Sequence, residues 1–425
     1  MIFNMGDGGS GAKSDITAHK NKNLRLVGTV PSVLKVNAVE GESVQNGTPT
    51  PAVPVDINSV VVSEIKTCGK NLQYNSATYD GWNKYNNGGT ITDETYNGGK
   101  VVKYTASWNF LYPQNRLFKA GTYTISFDAK VKAKGSVCIG NVGGLGVSKV
   151  FDFSSTNYSR YSYTFTLSED KEGYVVPFIP SNSTVGELYI ANMQVEKSPL
   201  MSDYEPYTES KITLSAPITL RGVNDVKDAI CKQNGVYGVL RNFDSITLNG
   251  SEYWELISAS NPGRIYTSIF NKTIKKVANN NTKATWVICS HYGVSARNNI
   301  LENTLTIESN GNVVFRDDIN AEKPSVWKAW LSANNVTVDY QLATPVFEPL
   351  PEADQIALKQ LETFDKITNV FTDSEVEPVI EVECATSKTG GLLFDVESDM
   401  GGCKLKYENG KFYIGYDDGT VETEV

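Results

Sequence analysis

The sequence predicts a mainly β, multidomain protein made of antiparallel β-sandwich or jelly-roll domains with a few short helices. Three observations carry that expectation. The composition is rich in strand and turn formers: 22 Tyr, 35 Gly and 37 Asn among 425 residues, with only 20% charged. Tyr and Thr favour strands, while Asn and Gly make hairpin turns. Many short segments alternate apolar and polar residues. In Tyr123–Ala129, for example, Tyr123, Ile125, Phe127 and Ala129 share one face and Thr124, Ser126 and Asp128 the other, the mark of a half-buried strand. Asn-Gly or Asp-Gly pairs at 249–250, 310–311, 409–410 and 418–419 supply hairpin-type turns.

Taken in order, residues 1–23 read as a flexible arm rich in Gly, Lys and Asn. Residues 24–66 form a small β module followed by a strap in which Pro49, Pro51 and Pro54 force an extended chain. About eight short strands fill 67–208, enough for a sandwich or jelly roll. Residues 209–347 read as a second β-rich domain. It holds helices at Asn224–Lys232, capped by Asn224, and at Ser325–Ala333, capped by Ser325. Residues 348–384 hold a helix at Pro351–Glu362, opened by proline, with Glu352 and Asp354 in its first turn and Ile356, Ala357, Gln360 and Leu361 inward. Residues 385–425 read as a β-meander too small to stand alone, which must dock on its own chain, a second copy or another protein.

Charge and special residues exclude several functions. The net charge is -9, with no run of Lys or Arg, which disfavours nucleic acid and anionic membranes as partners. No stretch of 18 apolar residues occurs, and the first residues show no secretory signal pattern. Six cysteines are scattered without a CxxC and read as free buried thiols; the only histidines are His19 and His291. No cofactor and no metal ligand set is expected, although surface calcium fits the carboxylate content of a jelly roll. Phosphate loops, GxSxG and HExxH are missing, and the adjacent carboxylates Asp93-Glu94 and Asp317-Asp318 read as solvated turns. His291 reads as structural. Seven N-x-S/T sequons read as by-products of an Asn- and Thr-rich chain.

The distinctive local feature is aromatic density. Nine of the 39 residues between Tyr74 and Tyr112 are aromatic. Tyr79, Trp82, Tyr85 and Tyr96 sit among Asn, Gly, Asp and Thr, with Asn83 beside the tryptophan. Planar rings flanked by amides suit sugars, whose CH groups lie on the ring and whose hydroxyls bond the polar neighbours. Tyr79, Trp82, Asn83, Tyr85 and Tyr96 are therefore glycan-binding candidates. The competing reading is that the rings cover the edge of the sandwich.

Four stretches occur in a specific order: GESVQNGTPTPAVPVDI (41–57) with CGKNL (68–72), IANMQVEKSPLMSDYEPYTES (190–210), NGVYGVLRN (234–242), and the run from Val338 to Cys384. Together they resemble tail-associated minor structural proteins of phages and prophages of Gram-positive bacteria. The resemblance implies a virion component made in the bacterial cytoplasm, non-enzymatic, with a carbohydrate-binding-module-like jelly roll. It would sit in a tail fibre or baseplate, among other virion proteins and as a homotrimer, and bind a host-surface glycan for adsorption. An architectural subunit without ligand and a glycan depolymerase are the alternatives.

Overall fold

The computed structural model describes residues 14–22, 24–29, 32–132, 138–180, 187–257, 264–267, 273–387, 394–396, 403–408, 411–416 and 423–424. The fold is mainly β, with several antiparallel sheets and, among the described residues, two α-helices.

One long sheet organises the chain. In spatial order its strands are Glu209–Leu220, Asn58–Cys68, Lys366–Thr372, Leu24–Thr29, Val379–Ser387, Val33–Glu40, Ala229–Gln233, Val236–Leu248, Val336–Pro349 and Val287–Cys289. This frame sheet buries Leu34, Val36, Val39, Val60, Val62 and Ile65 against Leu220, Leu358 and Leu361. Fully burying an aliphatic side chain of this size stabilises by about 1.5–3 kcal/mol. The strands of 24–40 and of 366–387 are separate in the sequence reading; here they alternate as neighbours in one sheet. Local periodicity carries no information about such distant pairing. The first arm also differs from expectation: Ser14–Asn21 is a strand paired along its whole length with Val379–Ser387. Residues 1–13 lie outside the described part.

Two large excursions leave the frame, each from the end of a strand and back to its direct neighbour. Residues 69–208 leave after Cys68 and return at Glu209, which pairs with Cys68. Residues 249–335 leave after Leu248 and return at Val336, which pairs with Leu248; within them only Val287–Cys289, among the described strands, comes back to the frame, at its edge beside Val336–Pro349. At the second exit, the Asn249-Gly250 turn takes the chain out of the sheet instead of closing a hairpin. A Cβ on Gly250 would lie 2.3 Å from the Lys328 carbonyl oxygen, and its φ is +87°, so only glycine fits.

The first excursion is a sandwich. Its main sheet runs Ser159–Leu167, Gly121–Val131, Leu188–Glu196, Gly99–Tyr104, Thr90–Tyr96. Opposite lie Val147–Phe153, Cys138–Gly144 and Val176–Phe178, with the two-stranded pairs Asn83–Tyr85/Phe110–Tyr112 and Arg116–Phe118/Lys171–Gly173. Ile125, Phe127 and Ala129 point into the shared core as their alternation predicts. The other face differs from expectation, since Thr124, Ser126 and Asp128 are buried as well. The cause is the exit segment, which crosses that face. Thr124 donates to the Ser198 carbonyl at 2.7 Å, Glu196 accepts from the Ser202 hydroxyl at 2.8 Å, and Gln194 Oε1 accepts from the Glu205 amide at 2.9 Å.

Entry and exit are also stitched together. Lys70 donates to the Asp203 carbonyl at 2.6 Å and pairs with Glu205 at 2.9 Å; the Asn71 amide donates to the Glu205 carbonyl at 2.8 Å. The CGKNL and YEPY stretches thus have a mechanical role as the two halves of one clasp.

The helices divide. Pro324–Ala333 forms with proline in its first turn; its N-cap is Lys323, without a side-chain cap bond, and Trp327 and Leu331 are buried. Asn224–Lys232 is not a helix. Asn224 takes φ +56° in a turn, and Ala229–Gln233 is a strand held between Val33–Glu40 and Val236–Leu248. Pairing on both sides outweighs a local helical pattern. The helix after Pro351 stops at Ala357, because Leu361–Glu362 pairs with Val33–Leu34. There Ile356 and Gln360 are exposed, against expectation; Leu361 is buried as expected, and Leu358 is buried with it. Near the C-terminus, Phe394–Val396, Cys403–Glu408, Lys411–Tyr416 and Thr423–Glu424 form an antiparallel meander; the turns at 409–410 and 418–419 lie outside the described residues.

Candidate functional site

The five residues singled out in the sequence do not share one place. Tyr79 is 2% exposed, with φ +63°; its hydroxyl has no hydrogen-bond partner among the described residues, and burial pushes its ionisation well above the usual tyrosine range. Trp82 is half-buried. Its indole edge meets Tyr79 at 5.0 Å, and its Nε1–H donates to the Tyr74 carbonyl at 2.7 Å. Both therefore belong to the packing of the sandwich. Tyr96 lies on the main sheet and stacks on Tyr158 at 4.0 Å. The Lys130 ammonium covers Tyr158 at 4.4 Å and pairs with Glu94 at 2.6 Å.

Asn83 and Tyr85 have a different setting. Both are exposed, on a short strand paired with Phe110–Tyr112 in the register Asn83↔Tyr112 and Tyr85↔Phe110. Tyr85 stacks on Phe110 at 4.9 Å and 11°. Phe110 meets Phe178 at 5.3 Å, Phe178 meets Trp108 at 4.8 Å, and Tyr112 stacks on Tyr174 at 4.6 Å. The result is a two-layer aromatic platform. Phe110 and Phe178 form a buried floor, Tyr112 and Tyr174 are half-buried, and Tyr85 and Trp108 stand 43% and 40% exposed.

Trp108 is held there by its backbone. Its φ is +58°, a left-handed conformation that costs a bulky residue about 1–3 kcal/mol. Its amide donates to the Ile179 carbonyl at 2.8 Å, and its carbonyl accepts from the Asn86 side-chain amide at 2.9 Å. Those two bonds offset the strain and hold an exposed indole in place. Burial, with Tyr112 and Tyr85 nearby, raises the Tyr174 phenol, so it is a neutral donor at physiological pH.

Trp108, Tyr112 and Tyr174 are the platform members missed as site residues. The polar context Ala106-Ser107-Trp108-Asn109 is the signal that marks Trp108; Tyr174 reaches the site only through the fold.

Three of the four carboxylates weighed for hydrolysis, Glu94, Asp317 and Asp318, have structural partners elsewhere. Glu94 pairs with Lys130. Asp317 is buried, accepting from the Tyr292 hydroxyl at 2.7 Å and the Asn320 amide at 2.7 Å. Asp318 holds Arg316 through two bonds, at 3.0 and 2.9 Å. His291 lies against Trp330, its Nδ1 2.8 Å from the Ser290 hydroxyl. Cys68, Cys231, Cys289 and Cys384 are free thiols. Among the described residues no group of three or more His, Cys, Asp or Glu is placed to hold a metal ion, and no helix is long and apolar enough to cross a membrane.

No protein-family profile matches the chain, and no curated protein matches it. Among solved structures, the CBM22-1 xylan-binding domain of Paenibacillus barcinonensis Xyn10C is similar at 10% identity and a TM-score of 0.24, covering 32% of this chain and 94% of that one. The tandem CBM22-1-CBM22-2 domain of the same protein has 10% identity and a TM-score of 0.24, covering 75% and 97%. Likeness at that level assigns nothing to this chain.

Proposed function

We propose that the chain is a non-enzymatic glycan-binding protein and that the platform of Tyr85, Trp108, Tyr112 and Tyr174 is its sugar-binding face. The observation that carries this reading is Trp108, an exposed indole kept in a strained backbone conformation by two hydrogen bonds. Backbone strain at a ring left 40% exposed fits a functional role better than a purely packing one. Rings stacked from beneath are rigid and lose little entropy on contact. Asn83, on the strand of Tyr85, and Asn86, bonded to the Trp108 carbonyl, put side-chain amides beside the rings for sugar hydroxyls.

The setting we propose is a phage tail fibre or baseplate, where the protein adsorbs to a host-surface glycan. Support comes from the order of the four sequence stretches, two of which form the clasp of the sandwich. A closed trimer would multiply weak sites through avidity. Light scattering at micromolar concentration checks this, and a monomeric mass counts against it. The binding test is a glycan array and whole-cell adsorption with wild type and Trp108→Ala. Binding by wild type and its loss in the variant supports the reading. Blank results for wild type in both assays favour an architectural subunit.

A further inference from the structure

Between the sandwich and the frame sheet lies a cavity of about 620 Å³. Its floor is apolar, with Leu24, Val370 and Phe371 from the frame and Leu72, Phe118 and Tyr123 from the sandwich. The volume suits a small ligand, and a gap between two parts of a chain is a common place for one. The walls are joined across it by the Lys119–Glu377 ion pair at 2.8 Å.

Its cations are unequal. Lys22 pairs with Glu42 at 2.8 Å, Lys66 with Glu64 at 2.6 Å, and Lys119 with Asp170 at 3.0 Å besides Glu377. Lys197 acts on the charge of Asp170. Arg25 and Arg116 also line the cavity, both half-buried, and neither forms an ion pair among the described residues. Arg116 is fixed: its Nη1 donates to the Leu72 carbonyl at 3.0 Å, and its guanidinium lies 4.7 Å from the Phe371 ring centre. The lining carboxylates without an ion pair, Glu172, Asp373 and Glu375, are exposed to water, which solvates them, and Asp373 also accepts from the Ser63 and Glu64 amides. A half-buried guanidinium without a counter-charge is the costlier arrangement, and a planar fork of N–H donors matches a carboxylate or phosphate.

We propose that this cavity binds a small ligand bearing a carboxylate or phosphate, with the acidic group on Arg25 and Arg116 and the rest of the ligand against the apolar lining beside them. The site is separate from the aromatic platform and does not depend on the glycan reading.

The test is calorimetric titration of the full chain with digalacturonate, glycerol phosphate and neutral digalactose. Saturable binding of at least one acidic probe, with none for the neutral one, is expected, and the acid preferred identifies the source of the charge. Arg25→Gln and Arg116→Gln should each weaken binding about tenfold or more, the scale of a hydrogen bond to a charged group. Leu117, 42% exposed on the cavity wall, gives a variant that breaks no bond. Leu117→Glu should repel the acid and, since it faces Glu172 across the strand pair, lower the melting temperature only slightly, so the test stands even where Arg116→Gln fails to fold. Trp108→Ala should leave this affinity as it is. The proposal is overturned by no saturation with either acid, by equal binding of digalactose, or by unchanged affinity in both Arg25→Gln and Leu117→Glu.

Discussion

The two excursions from the frame sheet are attached in the same way and use their aromatic residues in opposite ways. Each leaves at the end of a strand and returns to a residue directly paired with the exit, at Cys68–Glu209 and at Leu248–Val336. In residues 249–335 the rings meet one another inside. Trp327 is fully buried, edge-on to Trp254 at 5.3 Å and stacked on Trp330 at 5.3 Å, with Tyr292 and Phe315 around it. In the sandwich a second set of rings faces out, stacked on the buried set. Aromatic content alone therefore marks neither a core nor a binding face. What separates them is whether a ring has neighbours on both of its faces.

The sharpest way to break that comparison is at Trp327. Trp327→Ala should destabilise the second excursion by about 3–5 kcal/mol, as large-to-small changes of buried aromatics do. Affinity per folded molecule for any glycan should not change. Chemical denaturation and binding on the same sample check both halves, and a loss of affinity without loss of stability would place the sugar site in the wrong excursion.

Trp82 tests the inward set of the sandwich. It is half-buried against Tyr79 with its N–H bonded to Tyr74, so Trp82→Ala should cost about 2–3 kcal/mol, below the figure for a fully buried tryptophan. Affinity should hold. An unchanged denaturation midpoint with lost binding would return Trp82 to the platform.

Trp108 tests the outward set. Trp108→Ala should weaken glycan binding by about 1–2 kcal/mol, the scale of an exposed aromatic anchor. Trp108→Gly separates binding from strain: glycine accepts the φ of +58° freely, so binding should fall while the melting temperature stays at or above that of wild type. A marked drop in melting temperature for the glycine variant would instead make the indole a packing residue.

How much of this was legible in the sequence follows from range. The strand Gly121–Val131 was readable because its inward face is set by its own alternation. Tyr85 was readable as exposed because Asn86, Asn87 and Gly88 follow it. The inward turn of Trp82 was not, since it depends on a carbonyl eight residues away and on the ring of Tyr79 beneath it. Asn224–Lys232 misled for a related reason. Its helical pattern is local, whereas the partners that make Ala229–Gln233 a strand include residues 38–40. The frame was hidden for the same cause, its neighbours Val33–Glu40 and Val379–Ser387 lying at opposite ends of the chain.

The smallest expected effect separates the bases of the two excursions by pH. Beside the sandwich, hydrogen bonds from Lys66 and then Lys211 hold Glu64 below the ordinary glutamate value of 4.5. Its contribution is present above that value and is lost as pH falls through the lower folded pKa. At the base of the second excursion the direction reverses. Burial raises Asp339 above the ordinary 3.8, and the neighbouring charge of Asp228 adds to the rise, against the Ser245 hydroxyl and Arg221. Asp228 is raised by burial too, even though the amides of Arg221, Asn242 and Phe243 and the side chain of Arg241 favour its charge. A carboxyl raised in the folded state stabilises fully below 3.8 and loses that contribution as pH rises through its folded pKa. Relative to wild type, Glu64→Gln should therefore lose stability as pH climbs toward 4.5, by about 1 kcal/mol or less for a solvent-screened pair. Asp339→Asn should gain relative to wild type as pH climbs from 3.8. Melting temperatures of the three proteins across that range give the two signs. Slopes of the same sign would mean that Asp339 is held by Arg221 as Glu64 is held by its lysines, and that the two bases are electrostatically alike.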